Sequence, residues 1–588
     1  MSEKMGLVSI LLVAALALCC SPADRGGGGE GDADADTDGD TDSDSDDPVG
    51  EECDPGEVWC FENWVAQCDE DGQGWTKLED CGEQGLLCAA GECEDISMEC
   101  AGAINQRSYI GCEYWGVTLA NGVDPLSFFY AIAIANAGQD QAGVEISDGG
   151  SINHSYDVEP GDLKVVTLPW KSAIKSPRDI DTQEHATRKV ANAAYHIVSD
   201  RPVTVYQFSP LHYMHDPGYT EPIYSHTNDA SLLLPVHVYR DEYIAVSRAT
   251  LEVQDYSTTV SSNPGYVAIV GPEDGATTVE ITTSSHTEAS DDVSIAPYDA
   301  HSPGDSFQVT VEPYEVFQLL SAAEPGCTGG TTCASYYTCC DTPPDYDLTG
   351  TEIRVVDGPK PAVFSGTECS FVPFDKWACD HLEQQMFPRE TWGSSYICAH
   401  NETQAPGEPT VWRVLSGSDG NEIAFEPSEV HPGVTLDRGE FVEFESQADF
   451  SVEGTGRVAV AQFMVGQNYT SDTSPPENGD PAMALVVPVE QYRESYTFLT
   501  PDTYVINYLT IVHHSGVYPE LDGDSVLGSG YTVEIDGEWA KTNTEIESGA
   551  HYIESDEPFS IMVYGVGSYT SYMYPGGLDL TKVDVLVE

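Results

Sequence analysis

The chain has 588 residues, and its 23 Lys and Arg side chains stand against 99 Asp and Glu, which gives a formal net charge of −76. A surface this negative repels nucleic acid phosphates and anionic lipid head groups, so the composition excludes a nucleic acid partner and a charge-driven membrane contact. The length leaves room for roughly three to five domains. The acidic excess is typical of a salty or extracellular medium, and a specific cationic ligand is the alternative.

The N-terminal segment predicts export. A basic residue precedes an apolar run from Met5 to Leu18, which is too short to span a membrane and has the length of a signal peptide core. Small residues and then cysteines follow, which resembles a bacterial lipobox, although lipoboxes favour Gly, Ala or Ser before the cysteine. We predict a signal peptide over residues 1–20 with lipidation of Cys20, or alternatively of Cys19. The predicted mature protein is an outer-membrane lipoprotein at the cell surface, and its lipid is its only contact with the membrane. The alternative is simple secretion after ordinary cleavage.

Residues 21–52 predict a disordered acidic linker. Positions 24–52 carry thirteen acids and one Arg, and Asp alternating with Ala, Thr and Ser cannot build a core. The stretch from Asp34 to Gly39 matches the first half of an EF-hand loop, but Ser45 stands where that loop needs a bidentate Glu. We therefore interpret this stretch as linker and not as a calcium site.

Residues 53–100 predict a small disulfide-rich module. A segment this short cannot bury enough apolar surface without covalent links. The gaps between its cysteines are longer than those of paired zinc ligands, so disulfides formed in an oxidising compartment are favoured over metal binding. Cys112 lies just beyond the module and is a candidate disulfide partner of Cys100, the last cysteine of the module. The candidates within it are Cys53, Cys60, Cys68, Cys81, Cys88, Cys93 and Cys100.

From residue 101 onward, short alternating strands between turns predict an all-β body without long helices. Two patterns recur in it. A strand, a tight turn and a second strand occupy 196–206 and again 551–561, with looser copies at 353–364 and 450–463. A proline is followed eight residues later by a tyrosine at Pro235 and Tyr243, Pro388 and Tyr396, and Pro488 and Tyr496. Such repetition indicates that one supersecondary unit is reused.

The period of the repeat predicts the size of the unit. Equivalent points at Pro361, Arg457 and Pro558 are 96 and 101 residues apart, which is typical of a β-sandwich of some seven strands. A β-propeller-like array is the alternative, but its blades are shorter, at about 40–50 residues. The predicted tandem β-sandwich-like units cover 101–260, 261–405, 406–505 and 506–588.

The cysteines of the body predict further bridges. Cys369 and Cys379 flank a ten-residue excursion that a disulfide would close. Cys398 is the leftover thiol, in a strand where no basic cluster adjoins it, so a buried and unreactive thiol is expected. The insert 327–340 is predicted to hold two bridges among Cys327, Cys333, Cys339 and Cys340.

Between about residues 190 and 500 several longer motifs stand out. They are Phe-Ser-Gly-Thr-Glu-Cys at 364–369, Ala-Cys-Asp-His-Leu-Glu-Gln-Gln at 378–385, Thr-Trp-Gly-Ser-Ser-Tyr at 391–396, Asn-Asp-Ala-Ser-Leu-Leu-Leu-Pro at 228–235 and the strand 203–208. With these motifs the region resembles the IgGFc-binding protein N-terminal domain family. The positions that carry the resemblance include Asp229, Pro235, Tyr243, Cys369, Cys379, Asp380, His381, Leu382, Glu383, Pro388, Trp392, Gly393 and Tyr396.

The resemblance implies an extracellular binding or adhesive module without known catalysis, in a family named for the Fc part of immunoglobulin G. It carries over no ligand-contact residues. We expect a cell-surface or secreted protein that recognises a protein or glycan partner, with no catalytic residue and no cofactor. The alternatives are a secreted carbohydrate-active hydrolase, whose carboxylate pair would leave no short motif, and a structural envelope component.

Two clusters could be mistaken for metal sites. Asp380 and His381 are neighbours on a strand and point to opposite faces, which favours a structural role. His212, His215 and His226 share an irregular, tyrosine-rich loop whose loose spacing disfavours a metal. Such tyrosines suit a binding surface and ordinary loop packing equally well. Structural calcium in acidic loops between units is a side prediction.

Overall fold

Strands supply nearly all the regular structure, which confirms the all-β prediction. The computed structural model describes residues 55–583, apart from 62, 73, 176–184, 219–220, 257–259, 291–298, 328–329, 404, 470–478, 529–530 and 536. The predicted signal peptide with its lipidation cysteines, the linker and Cys53 lie outside the described residues. Within the described ranges, no helix is both long and apolar enough to cross a membrane.

The cysteine-rich module combines a small antiparallel sheet, a hairpin and one helix. The helix begins after Ser97, whose hydroxyl accepts a hydrogen bond from the Cys100 N–H. The disulfides whose two cysteines both lie in the described residues are Cys60–Cys88, Cys81–Cys93 and Cys100–Cys112, the last of which joins the helix to the first strand of the body. The elements are β1 (Val58–Phe61), β2 (Trp64–Cys68), β3 (Trp75–Asp80), β4 (Leu87–Ala89), β5 (Glu92–Glu94) and α1 (Met98–Gln106).

The body consists of four β-sandwiches, which we number 1 to 4 along the chain. Sandwich 1 pairs β6, β12, β8 and β9 in one sheet and β10, β7, β12 and β15 in the other. Its strands and the short ones between them are β6 (Gly111–Val117), β7 (Tyr130–Ala135), β8 (Ala142–Ser147), β9 (Asn153–Val158), β10 (Leu163–Leu168), β11 (Arg188–Val190), β12 (Ala194–Phe208), β13 (Met214–His215), β14 (Ile223–Tyr224) and β15 (Ala230–Leu233).

Sandwich 2 repeats this order and carries an additional sheet. One of its sheets extends to β11, and strands β17, β18, β23 and β24 form a separate sheet that we call the accessory sheet. The strands are β16 (Glu242–Ile244), β17 (Leu251–Gln254), β18 (Val260–Asn263), β19 (Gly265–Val270), β20 (Thr277–Thr282), β21 (Ser306–Val311), β22 (Val316–Leu320), β23 (Thr331–Ala334), β24 (Tyr337–Cys339), β25 (Glu352–Asp357), β26 (Ala362–Phe371) and β27 (Cys379–Gln385).

Sandwich 3 shows most clearly how the two sheets share a core. Trp412 of one sheet packs edge to face on Phe450 of the other, 5.2 Å between ring centres. Its strands are β28 (Ser395–Cys398), β29 (Thr410–Ser416), β30 (Asn421–Glu426), β31 (Val434–Leu436), β32 (Phe441–Ser446), β33 (Phe450–Gly454), β34 (Val458–Phe463) and β35 (Met483–Leu485). Sandwich 4 contains β36 (Arg493–Thr500), β37 (Ile506–His514), β38 (Glu520–Leu521), β39 (Asp524–Ser525), β40 (Tyr531–Glu534), β41 (Trp539–Ile546), β42 (Gly549–Gly567) and β43 (Thr570–Pro575).

The predicted strand–turn–strand repeat is a crossover between the two sheets of a sandwich. In sandwiches 1 and 4 the prediction of a tight turn is wrong, because β12 and β42 each run through it as one long strand. The register of β12 against β6 shifts between Val198 and Val203. Its first half pairs with β6 and β8, and its second half pairs with β7 and β15.

The proline and the tyrosine of each spaced pair lie at the two ends of the connection from one sandwich to the next. Each proline precedes a single 3₁₀ turn, and the tyrosine lies buried in the first strand of the following sandwich. Each of these first strands pairs with a later strand of the same sandwich. The sandwiches therefore begin earlier in the chain than the unit limits predicted from the sequence. The division into separate domains stays a prediction. The hydroxyls of Tyr114, Tyr243, Tyr396 and Tyr496 donate to the crossover carbonyls of Val203, Pro361, Val458 and Phe559.

The four sandwiches form a closed ring in which β15, β27, β35 and β43 meet at the centre. Successive contacts are Gln207 to Glu383 at 3.2 Å, Arg413 to Asp347 at 2.8 Å, Lys541 to Asp449 at 2.7 Å, and the Tyr206 hydroxyl to the Thr497 carbonyl at 3.0 Å, which joins sandwich 1 to sandwich 4. The sequence repeat predicts sandwiches in tandem, and the closure of the ring is a further feature of the fold.

Two side chains at the centre bind the backbone of all four sandwiches. The Asp229 carboxylate accepts the N–H groups of Ala230, Glu383, Met483 and Met573 at 2.9–3.3 Å. The Gln384 amide lies 2.8–3.2 Å from the carbonyls of Ala230, Met483 and Met573. We call this pair the central clamp.

A buried carboxyl pair near the clamp makes stability depend on pH. Burial raises the pKa of Asp480 to about 7, and burial and Asp480 together raise the pKa of Asp380. A folded-state pKa above the unfolded value of about 4 means that the stability from this proton is complete at low pH. It is lost as pH rises through 7, at up to about 1.4 kcal/mol per pH unit.

We expect Asp480→Asn to flatten this part of the pH dependence. The amide keeps the acceptor for the Gln467 N–H, 3.0 Å away, and removes the ionisable group. Relative to wild type, the variant should gain in the free energy of unfolding at pH 8 and change little at pH 4. Urea unfolding at both pH values measures this difference. Asp419→Asn on an exposed turn is the control, and an equal gain at both pH values would contradict the expectation.

Candidate functional site

Most of the motif residues lie in the interior of the ring. Asp229, Asp380, His381, Leu382 and Glu383 have no exposed surface. His381 stacks on Tyr266 and lies 3.3 Å from the Glu383 carboxylate. These side chains hold the sandwiches together and cannot contact an external partner in this fold.

The remaining motif positions shape the connections between sandwiches. Trp392 donates its indole N–H to the Phe387 carbonyl at 3.1 Å. A Cβ on Gly393 would lie 2.2 Å from the Glu490 carboxylate, which also accepts the Ser394 N–H. Only glycine fits there. Pro235, Tyr243, Pro388 and Tyr396 belong to the connections described above, and Cys369 is joined to Cys379.

The cysteines of the body are placed as follows. The insert contains the bridges Cys327–Cys340 and Cys333–Cys339. Cys398 is a free thiol in the core of sandwich 3, where burial raises its pKa well above the usual value. Such a thiol is protonated and inaccessible.

The histidine- and tyrosine-rich loop packs against sandwich 4. His226 stacks on Tyr224 and meets the ring of Tyr569 edge-on. Burial lowers the pKa of His212 and of His226, which leaves both neutral near pH 7. Within the described residues, no group of three or more His, Cys, Asp or Glu side chains is arranged to hold a metal ion.

A cleft of about 390 Å³ between sandwiches 1 and 2 is lined by His196 and Glu273, and Glu113 lies on the other side of the His196 ring. Glu113 lies 2.8 Å from Nε2 of His196, and Glu273 lies 2.9 Å from its Nδ1. The ring stacks on Trp115. A hydrolytic carboxylate pair needs room for a sugar and a water between the carboxyl groups, and here the imidazole fills that space.

A larger groove of about 1170 Å³ lies between the cysteine-rich module and sandwiches 1 and 2. We call it the acidic groove. Trp59, Arg107 and Glu94 line it from the module, Glu145 from sandwich 1 and Asp274 from sandwich 2. Eleven carboxylates line it against four Arg and Lys side chains. Burial, Glu92, Glu113 and Asp274 raise the pKa of Glu94, so the groove disfavours its own negative charge.

The accessory sheet displays tyrosines outside the ring. Tyr256 and Tyr336 are 84% and 80% exposed. Because Val253 pairs with Cys339 in antiparallel register, the loop after β17 and the tip before β24 lie at the same end of the sheet. Tyr337 beside them packs on Trp377 at 5.2 Å.

Three disulfides cross-link the base of this aromatic end. Cys327–Cys340 and Cys333–Cys339 brace β23 and β24, and Cys369–Cys379 lies in the same small core with Leu251 and Phe371. The insert was predicted from its cysteines. Its pairing with β17 was not, since the two segments are some 80 residues apart.

Comparison with known protein families gives a match. A family model described as IgGFc binding protein matches residues 229–565, which is more than half of the chain. The chain belongs to the IgGFc-binding protein family. This confirms the family predicted from the motifs at 228–235, 364–385 and 391–396.

The relatives of this IgGFc-binding family member are distant. A human protein named IgGFc-binding protein is 22% identical over 284 residues, which is 46% of this chain and 4% of the human protein. The chain therefore matches a small part of that relative's length. No solved structure matches the chain. The family match begins at Asp229 of the central clamp and includes the accessory sheet, whereas the cysteine-rich module and most of sandwich 1 precede it.

Proposed function

We propose that this chain is an extracellular binding protein without catalytic activity that engages a protein partner through the tyrosines of the accessory sheet. The observation that carries the proposal is a disulfide-braced sheet, additional to the four-sandwich frame, with Tyr256 and Tyr336 almost fully exposed. Rigid tyrosines lose little conformational entropy on binding and often dominate interface energetics. The six described disulfides support an oxidising compartment.

The cell-surface location is part of the same proposal. A lipid on Cys20, or on Cys19, would attach the acidic linker of residues 21–52 to an outer membrane and hold the ring away from it. A glycan partner and structural calcium in the acidic loops stay predictions.

Binding to the Fc fragment of immunoglobulin G, the ligand in the human relative's name, and to a mucin glycoprotein with and without its glycans tests the proposal. We expect at least one of these immobilised probes to bind the chain. Tyr256→Ser with Tyr336→Ser should then weaken binding by about tenfold or more, because exposed aromatic anchors contribute about 1–2 kcal/mol each or more. Surface plasmon resonance measures the change.

The matched control is Tyr552→Ser, which removes a 45% exposed tyrosine from sandwich 4. It should leave affinity within about twofold, as a surface change away from the interface does. Equal affinity of the double variant and the wild type would refute the tyrosine surface. Binding to none of the probes would refute the proposed partner class.

A further inference from the structure

The acidic groove has the size of a site for a chain segment. Its volume of about 1170 Å³ exceeds the roughly 300–1,000 Å³ usual for small-molecule pockets. Its walls also contain apolar side chains, including Trp59, Ile96 and Tyr156. A peptide could therefore bury side chains here and remain connected to a larger partner.

The carboxylates of the groove are largely unpaired. Glu57 binds Arg107 at 3.0 Å, and Glu113 binds His196. Six further carboxylates of the lining form no ion pair within the part of the chain that the structure describes. They are Glu92, Glu94, Asp95, Glu145, Asp157 and Asp274. Like charges gathered in a concave site raise the local concentration of cations.

Within the described part of the chain, two enclosed acceptors in the groove have no donor. One ring nitrogen of His237 donates to the Ser108 carbonyl, while Nε2 is buried and has no hydrogen-bond partner among the described residues. Burial lowers the pKa of His237 to about 3, so Nε2 is an acceptor at neutral pH. Oε2 of Glu390 is likewise buried without a partner. Both atoms require an N–H or O–H donor, which a guanidinium or ammonium group supplies.

The groove already holds one cation in the way a ligand would be held. The Arg107 guanidinium lies 3.6 Å from the centre of the Trp59 ring while it binds Glu57. A carboxylate beside an aromatic face is a strong environment for Arg.

We propose that the acidic groove binds a Lys- and Arg-rich segment of a partner protein. This site is independent of the tyrosines of the accessory sheet. Charge complementarity selects the occupant: the acidic positions 24–52 of the chain are repelled, and a neutral or anionic ligand leaves the unpaired carboxylates uncompensated.

Fluorescence anisotropy with a labelled peptide of about ten alternating Lys and Arg residues, at about 0.15 M salt, tests the proposal on the full chain. A variant with Glu92→Gln, Glu94→Gln and Asp274→Asn removes three carboxylates and keeps their size. We expect it to weaken peptide binding by about tenfold or more, because the lost contacts are local and partly desolvated.

The matched control removes the same charge from exposed positions outside the groove lining through Glu545→Gln, Glu422→Gln and Glu429→Gln. It should change affinity by less than about twofold at this salt concentration, since distant charges are screened. Melting temperatures establish that both variants are folded. Equal weakening by both triple variants would show non-specific attraction to a chain of net charge −76 and overturn the proposal. The proposal would also be overturned if the peptide did not bind the wild-type chain, even if the groove variant lost calcium binding. The groove variant should still bind a partner through the tyrosines of the accessory sheet. Failure of the groove proposal can therefore be distinguished from failure of the proposed function.

Discussion

Asp229→Asn is expected to destabilise the ring by about 3 kcal/mol or more, because a buried N–H left unpaired costs about 1–3 kcal/mol. Burial, with a smaller effect of the Glu383 charge, raises the pKa of Asp229 well above its usual value, although the surrounding backbone N–H groups act against this shift. Each carboxylate oxygen accepts two N–H donors. An amide of the same size would present its NH₂ group to two of those donors. The variant therefore loses acceptors without creating a cavity.

Urea unfolding followed by tryptophan fluorescence and by circular dichroism measures this effect. We expect a lower midpoint and separate transitions in the two signals, since a weakened centre uncouples the sandwiches. Asp437→Asn is the control, because Asp437 accepts one N–H on an exposed turn and its loss should stay below about 1 kcal/mol. Similar midpoints for the two variants would contradict the role of the central clamp.

Arg413→Met is expected to cost about 3–5 kcal/mol, the usual loss when one partner of a buried ion pair is removed. Arg413 lies between sandwiches 2 and 3 and binds Asp347 at 2.8 Å and Glu443 at 2.7 Å. Burial acts to raise the pKa of Glu443, but Arg248 and Arg413 outweigh burial and lower this pKa to about 2. Without the guanidinium, the almost fully buried carboxyl group of Asp347 loses its ion-pair partner.

Thermal unfolding of two further variants tests this explanation. Arg354→Met removes an exposed pair with Glu280 and should cost less than about 1 kcal/mol. Adding Asp347→Asn to Arg413→Met should restore part of the lost stability, because it removes the uncompensated charge. If the double variant is no more stable than Arg413→Met, lost packing explains the effect and the charge does not.

The all-β class and the repeat were predictable because alternation and turn residues act locally. The spacing from Pro388 to Tyr396 spans one 3₁₀ turn and the start of a strand, so a fixed separation in sequence follows from a fixed local geometry. The crossover was less predictable. The segment from Ser199 to Pro202 has the composition of a turn but stays extended within β12. Ser199 pairs with Val144 of β8, and the rest of the segment lies in the register shift of β12 against β6.

Ring closure and the acidic groove depend on contacts that leave no local signal. Asp229 stands between Asn228 and Ala230 with no local sign of its role, and its acceptors are filled by backbone N–H groups, which carry no residue identity. The groove takes its lining from segments as distant as Trp59 and Lys582. Its acids are indistinguishable in sequence from the many other acids of the chain.

The separations of the clamp contacts affect how the protein is made. Asp229 precedes its partners Glu383, Met483 and Met573 by 154, 254 and 344 residues. At roughly 5–20 residues per second, the ribosome needs about 20–70 s to add the last of them. During that interval the nascent polypeptide carries an acidic group whose final surroundings have not been synthesised. A translation product that stops before sandwich 4 lacks the Met573 N–H donor and leaves the central clamp incomplete.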